Sequence, residues 1–273
     1  MLDNIIDFLY SIHNITLFLI INIILMSFCI ICFSFIKYII PNHFQKEELG
    51  SLGGFLSGVV GSMYAVSTGF VLIYLLGNFN KAQDMVASEA IILMRLADIV
   101  NWLPPSVESD IIKADIFIAL EEYTDSIIKD EWDIMKNGDR VSNEALYYLK
   151  HILKRMNFYK ANDPTQLFIK QKIFNDIQEL HTVRYNRIKM SYFSLNVQYW
   201  VIIFIMTAIN LMFVCMLGTK LYLHKISVML VCITSASMIF LLFILDKPFR
   251  GEFAVNQIDL QNAVSYIKQL NRY

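Results

Sequence analysis

Charged side chains are missing from two long stretches of this 273-residue sequence. No Asp or Glu occurs from Leu49 to Gln83, or again from Leu180 to Leu245, and the apolar cores of these stretches contain no Lys or Arg. Ion-coupled transporters place ionisable groups at membrane depth, because an ion must be bound and released there. The sequence therefore disfavours a carboxylate-driven pump and a cation channel with an acidic filter ring.

Cysteine is also scarce, and the chain is close to neutral. The net charge is −1, and no nucleic-acid motif, metalloprotease motif, nucleophile elbow or phosphate loop is present. The sequence therefore predicts no enzyme, no metal site, no cofactor and no nucleic-acid partner. Two of the cysteines have CxxC spacing, but all four lie in apolar runs without a metal partner, which is typical of small buried hydrophobic residues. They are Cys29, Cys32, Cys215 and Cys232.

Long apolar runs dominate the remainder, and 56% of the residues are hydrophobic. A helix needs roughly 20 apolar residues to cross a bilayer. Four runs reach that length, at about 15–40, 52–77, 192–217 and 226–245. Residues 2–12 have helical apolar spacing, which predicts a short helix lying at the membrane surface.

The polar insert between the second and third runs is predicted to be helical throughout. No Pro or Gly occurs from Asn78 to Asn101, so span two is expected to continue as one helix until Pro104. From Pro164 to Leu217 the chain again lacks Pro and Gly, which predicts one helix about 80 Å long leading into span three. N-caps are predicted at Ser106, Ser142 and Asp163.

These features predict an all-α polytopic membrane protein with four transmembrane helices and a cytosolic helical bundle inserted between spans two and three. Seven Lys and Arg residues flank the insert and the C-terminal end of span four, against four in the two short loops. This bias favours cytoplasmic termini and a cytoplasmic insert in a multi-pass cell-membrane protein. It places Asn143 inside, and His43 and Thr219 outside.

Five divisions of the chain are expected from the same features. They are an interfacial helix at 1–14, spans one and two at 15–78, a cytosolic helical domain at 79–190, spans three and four at 191–245, and a corner with a C-terminal helix at 246–273.

Span two is unusual in its glycine content, with seven of the ten glycines between residues 50 and 77. Small residues follow one continuous helical stripe: Gly50, Gly54, Gly58, Gly61, Ala65 and Gly69. Such a stripe favours close packing of helices. Alternatively, the helix faces a symmetry axis and lines a conduit, and bulky neighbours form its constrictions: Phe55, Val59, Val66, Phe70 and Ile73. Both interpretations remain, because they can apply to different faces.

A basic cluster of Arg184, Arg187 and Lys189 lies just before span three. It is typical of positive-inside anchoring to anionic headgroups. In an oligomer the same cluster would form a ring that concentrates anions at the cytoplasmic mouth of a pore.

Span four ends in the stretch LLFILDKPFRGEFAV, residues 241–255. Pro248 disfavours helical geometry at Lys247, and Gly251 permits a backbone turn. This stretch therefore predicts a corner that redirects the chain into a C-terminal helix.

The residues of this corner resemble those of the bestrophin-like family. The glycine-rich span two and Glu89-Ala90, on the helix that continues from span two, resemble the same family. These are four-span membrane proteins grouped as a domain of unknown function. The resemblance covers about 50–255 and includes Asp246, Pro248, Phe249 and Gly251. Bestrophins share the layout and are pentameric anion channels whose pore is lined by span two. Here the acidic calcium clasp after span four and a clear triplet of span-two phenylalanines are missing.

The resemblance implies an oligomeric, passively anion-permeable channel with span two at the axis. Its partners would be the lipid bilayer, further copies of the chain (five by analogy) and small anions. A rival hypothesis is a non-conducting scaffold or signalling protein whose cytosolic helices bind partners, and a third is a small-solute transporter.

Overall fold

The computed structural model describes residues 8–39, 50–138, 144–216 and 222–272. Every regular element in these ranges is helical, and they contain no strand, so the predicted all-α class is confirmed. Several positions used in the sequence predictions lie outside the described residues: 1–7 of the interfacial segment, His43, Ser142, Asn143 and Thr219.

The helices follow one another along the chain with short connections. They are α1 (Asn14–Ile39), α2 (Gly50–Asn101), α3 (Val107–Ser126), α4 (Trp132–Asn137), α5 (Glu144–Phe158), α6 (Pro164–Ser191), α7 (Val197–Met216), α8 (Tyr222–Asp246) and α9 (Ile258–Leu270). A π turn at Ile127–Glu131 joins α3 to α4. Within the described residues, four stretches are long and apolar enough to cross a bilayer, in agreement with the prediction: Asn14–Ile36, Gly53–Asn101, Val197–Met216 and His224–Asp246.

The helices group into two compact units. The span unit comprises the described residues of Met1–Gly77, Ser194–Asp246 and Gly251–Phe253. The insert unit comprises those of Asn78–Phe193, Lys247–Arg250 and Ala254–Tyr273.

The span unit is held together by apolar contacts among α1, α7 and α8. Its core cluster contains Cys29, Cys32, Ile36, Leu211, Cys215, Val228 and Cys232. At another position, Tyr10 stacks on Phe243 with ring centroids 4.4 Å apart and donates a hydrogen bond from its hydroxyl to the Phe243 carbonyl at 2.8 Å. This aromatic contact ties the segment before α1 to the last turns of α8.

The insert unit has a larger core, formed by the second half of α2 with α3, α5, α6 and α9. Two of its helices begin where the sequence predicts. The Ser106 hydroxyl accepts a hydrogen bond from the Ser109 N–H at 3.1 Å, and the Asp163 carboxylate accepts one from the Gln166 N–H at 2.9 Å. Both side chains satisfy backbone donors that the first turn of a helix leaves unpaired.

The prediction of one helix from Pro164 to Leu217 is wrong, because α6 ends at Ser191 and α7 begins at Val197. The Asn196 side chain accepts a hydrogen bond from the Gln198 N–H at 3.3 Å. The Leu195 N–H donates to the buried Asp246 carboxylate. These contacts give the backbone partners outside a continuous helix, so the break needs neither Pro nor Gly.

Candidate functional site

The span-two half of α2 carries a row of bulky apolar side chains that face away from the rest of the span unit. Phe55, Phe70 and Ile73 are each 68% exposed, Val66 is 58% exposed and Val59 is half-buried. On the opposite face of the helix, Tyr64, Thr68 and Leu75 are buried. One chain therefore packs one face of span two and leaves the predicted constriction residues uncovered.

The small-residue stripe of α2 is likewise unused within the described part of the chain. Apart from the adjacent backbone of α2 itself, a Cβ atom built on Gly54, Gly58 or Gly69 would meet no described atom within 4 Å, and one on Gly61 would meet only the Asn210 Oδ1 at 3.8 Å. Ala65 is exposed, and Gly50 is the first residue of the helix. Most of this stripe is therefore left unpacked by the described part of the chain.

The predicted basic cluster divides into two parts. Arg187 is fully buried and Arg184 is 4% exposed, whereas Lys189 is exposed. The expectation that all three face headgroups or a pore mouth is therefore wrong for the two arginines. Their guanidinium groups are neutralised inside the insert unit, because an ionised group in a low-dielectric interior requires a partner of opposite charge.

Those partners are two buried glutamates. Arg187 Nε donates to Glu89 Oε2 at 2.5 Å and Arg187 Nη2 donates to Glu131 Oε2 at 3.0 Å. Arg184 Nε donates to Glu131 Oε1 at 3.0 Å. Two carboxylates and two guanidinium groups thus form a network without net charge, which we call the buried charge network.

Tyr123 completes the buried charge network by donating its hydroxyl to Glu89 Oε1 at 2.8 Å. Burial, followed by the negative charge of Glu89, raises the pKa of Tyr123 well above its ordinary value. Although burial disfavours a charged guanidinium, the carboxylates of Glu89 and Glu131 outweigh it and raise the pKa of Arg187. Both shifts keep Tyr123 neutral and Arg187 charged across the physiological pH range.

From the sequence, Glu131 is expected on a solvated, Lys-rich helix face and Tyr123 on the apolar stripe of α3. The expectation for Glu131 is wrong, because this side chain is buried, and the π turn explains why its position is hard to predict. The Trp132 N–H bonds to the Ile127 carbonyl, five residues earlier, so the ordinary helical period does not apply there. Glu89, which belongs to the family motif, does carry a signal. It shares an apolar helix stripe with Val86 and Leu93, and an acid on such a stripe predicts a buried basic partner.

The corner residues have distinct roles within each unit. In the span unit, the Asp246 carboxylate accepts the Leu195 N–H next to the start of α7, and Gly251 has a φ of +82°. In the insert unit, Phe249 is buried edge-on against Trp132 with centroids 5.7 Å apart, and the Pro248 carbonyl accepts the Val255 N–H at 2.8 Å. The backbone at Gly251 is left-handed, as the predicted turn requires.

No group of three His, Cys, Asp or Glu side chains in the described ranges is arranged to hold a metal ion. The geometry instead consists of an uncovered helix face in the span unit and a neutral, fully paired charge network in the insert unit. Four bilayer-length helices with a helical insert between the second and third define a polytopic helical membrane protein. A Bestrophin-like domain model matches residues 23–260, so the chain belongs to the Bestrophin-like family.

Solved structures with the same fold come from a bacterial bestrophin homologue of Klebsiella pneumoniae. One variant has a TM-score of 0.71 at 12% identity, covering 94% of this chain and 99% of that chain. A second variant has a TM-score of 0.69 at 13% identity, covering 93% and 99%. The structure phased by zinc anomalous scattering has a TM-score of 0.70 at 11% identity, covering 93% and 98%. No curated protein sequence matches this chain.

Proposed function

We propose that this protein is an oligomeric, passively anion-permeable membrane channel in which α2 of each copy lines the central axis. The observation that carries the proposal is the row of Phe55, Val66, Phe70 and Ile73, which stays exposed while the opposite face of α2 is packed. Membership of the Bestrophin-like family supports the channel class.

The small-residue stripe supports self-association around α2. Gly54, Gly58 and Gly69 offer a surface that another helix can approach closely, and no described side chain of the same chain covers it. Identical copies joined head to tail through one repeated contact form a ring when the rotation between neighbours closes on itself. By analogy with bestrophins we propose five copies, with the bulky row facing the axis and the small stripe next to a neighbouring helix.

Anion preference follows from the charges that span two lacks. No acidic residue occurs between Leu49 and Gln83, so the proposed pore has no fixed negative charge there to attract cations. Because Arg184 and Arg187 are neutralised in the interior, a ring of these arginines does not contribute. An apolar constriction without fixed ligands selects weakly, and large, poorly hydrated anions should pass more readily than chloride.

We also propose that both termini and the domain at 79–190 face the cytoplasm, as the distribution of Lys and Arg favours. Single cysteines at positions 143, 43 and 219 on a cysteine-free background test this orientation. An impermeant thiol reagent applied to intact cells should label positions 43 and 219 and leave 143 unlabelled. Labelling of position 143 instead would reverse the orientation.

Conduction is tested with purified protein reconstituted in a salt gradient. The reversal potential should lie toward the anion equilibrium value, and Phe70→Ala or Val66→Ala should raise the current by widening the constriction. Phe35→Ala is the matched control, because Phe35 is also exposed (61%) but lies on α1. A reversal potential toward the cation value would refute the proposed selectivity.

The scaffold hypothesis makes the opposite prediction for the same preparation. If well-formed oligomers carry no current at varied pH, calcium concentration and voltage, the channel proposal fails and the scaffold is favoured. A single-particle image tests the position of α2 separately from conduction. A ring with α2 away from its axis would contradict the proposed pore lining.

A further inference from the structure

Two cysteines that are far apart in sequence meet inside the span unit. Cys29 on α1 and Cys232 on α8 are 203 residues apart in sequence, yet their Sγ atoms lie 3.0 Å from each other. Both side chains are buried, with 3% and 0% of their surface exposed, and both are free thiols. The sequence alone indicated only buried hydrophobic residues, because the contact joins two different spans.

We propose that Cys29 and Cys232 are a modification site that peroxide converts into an intrachain disulfide between α1 and α8. A disulfide bond is about 2.05 Å long, so the two sulfur atoms need to approach by only about 1 Å. The two helices already pack against each other through the surrounding apolar core, which keeps the thiols adjacent. The proposal does not depend on whether the protein conducts ions.

The chemistry needs one molecule of hydrogen peroxide for each disulfide. The Cys29 sulfur, the more exposed of the two, attacks one peroxide oxygen; the O–O bond breaks, giving a sulfenic acid and water. The Cys232 sulfur then attacks the sulfenic sulfur, an S–S bond forms, and the departing hydroxide takes the Cys232 thiol proton as a second water. The sulfurs lose two electrons, which reduce the peroxide.

The apolar surroundings decide which reagents reach the pair. Hydrogen peroxide is small and uncharged and can enter a hydrocarbon region, whereas glutathione is a charged peptide that cannot approach a buried sulfur. Because thiol–disulfide exchange requires contact with the attacking thiolate, the disulfide should resist reduction by glutathione in the folded protein. The same burial makes the first oxidation slow, so the reaction should be followed over time.

Two other cysteines act as internal controls. Cys32 lies one turn from Cys29 on α1. Cys215 on α7 belongs to the same core cluster and also interacts with the Cys29 thiol, so it is the competing partner that a specific reaction must leave free. A non-specific oxidation would modify these thiols as readily as the pair. An oxidation that is specific to Cys29 and Cys232 leaves the Cys32 and Cys215 thiols free.

The test exposes purified protein in lipid nanodiscs to hydrogen peroxide, unfolds it in detergent without reductant, and counts free thiols with a maleimide reagent. The wild-type chain should fall from four free thiols to two, and peptide mapping should find Cys29 joined to Cys232. Cys29→Ser and Cys232→Ser should each keep all three remaining thiols. The Cys32→Ser variant should still form the disulfide and keep one free thiol.

The wild-type measurement decides the proposal even if a variant fails to fold. Four free thiols after prolonged exposure would overturn it. A disulfide that joins Cys29 to Cys215, or a sulfinic acid at Cys29 without any disulfide, would overturn it as well.

Discussion

The two halves of α2 differ in where their apolar side chains find partners. In the first half, Phe55 and Phe70 are mostly exposed, and of the stripe glycines only Gly61 lies against another described helix. In the second half, Leu93 and Leu96 are fully buried, and Glu89 binds a buried arginine. One uninterrupted helix therefore combines a segment satisfied within the chain and a segment that needs lipid or another molecule.

This difference separates intrinsic stability from assembly. Changes in the second half of α2 should act on the folding of the single chain, because its contacts are already made there. Changes in the first half should act on the proposed contacts between copies, because the described part of the chain leaves that surface uncovered.

The largest effect is expected from Arg187→Met. Removing this guanidinium leaves Glu89 and Glu131 buried, with only the charge of Arg184 near Glu131. Breaking a buried ion pair in this way lowers the free energy of unfolding by about 3–5 kcal/mol. Folded yield and the thermal unfolding midpoint should fall sharply. Lys189→Met is the matched control, since Lys189 is exposed two residues away, and its midpoint should stay close to that of the wild type.

A pair of enlarging substitutions on α2 compares the halves directly. Ala90→Leu inserts a large side chain into a site that is 1% exposed, and such overpacking typically destabilises by about 1–3 kcal/mol. Gly58→Leu adds the same side chain where, apart from the adjacent backbone of α2, no described atom lies within 4 Å of its Cβ. The single chain should therefore keep its stability while the oligomer dissociates. Unfolding midpoints and native mass spectrometry check the two outcomes. Intact oligomers of Gly58→Leu would contradict the role of the small stripe.

Alkaline pH should weaken the insert unit through Tyr123. Below the unfolded-state pKa of about 10, this phenol is protonated in both states. Above that pH only the unfolded chain loses the proton, because the folded-state pKa is raised, so the free energy of unfolding falls by about 1.4 kcal/mol per pH unit.

Denaturant titrations of wild type and Tyr123→Phe between about pH 9 and 11 measure this contribution. The variant should lose stability less steeply than the wild type above about pH 10, although it starts lower because Glu89 loses a hydrogen-bond donor. Parallel slopes for the two proteins would mean that Tyr123 ionises as readily in the folded state as in the unfolded state.

The smallest effect is expected from Asp246→Asn. Asp246 accepts a backbone N–H from Leu195, and the Asn side-chain oxygen can accept the same bond, so the loss should be about 1 kcal/mol or less. Asp246→Ala removes the acceptor and should destabilise more. Unfolding midpoints of the two variants rank them, and equal losses would show that the charge, not the hydrogen bond, matters there.

Features set by neighbouring residues could be predicted from the sequence. The Ser106 and Asp163 caps, the continuation of span two to Asn101 and the turn at Gly251 depend on side chains within a few positions of each other. The pairing of Arg187 with Glu89 spans 98 residues, and no local pattern specifies which acid meets which base. The break before α7 was missed because its cause lies in tertiary contacts and in the capping side chain of Asn196.

The π turn between α3 and α4 has a consequence for the phase of the helix that follows it. An α-helix turns about 100° per residue, and the single extra residue in a π turn offsets everything beyond it by that angle. Lys129 and Asp130 are exposed, while Glu131, Trp132 and Met135 are buried. Deleting Lys129 would remove the extra residue, restore an ordinary helix and keep Trp132 and Met135 on the face that is buried. A one-residue deletion here should therefore be less damaging than one in the middle of α6, which has no π turn to absorb it.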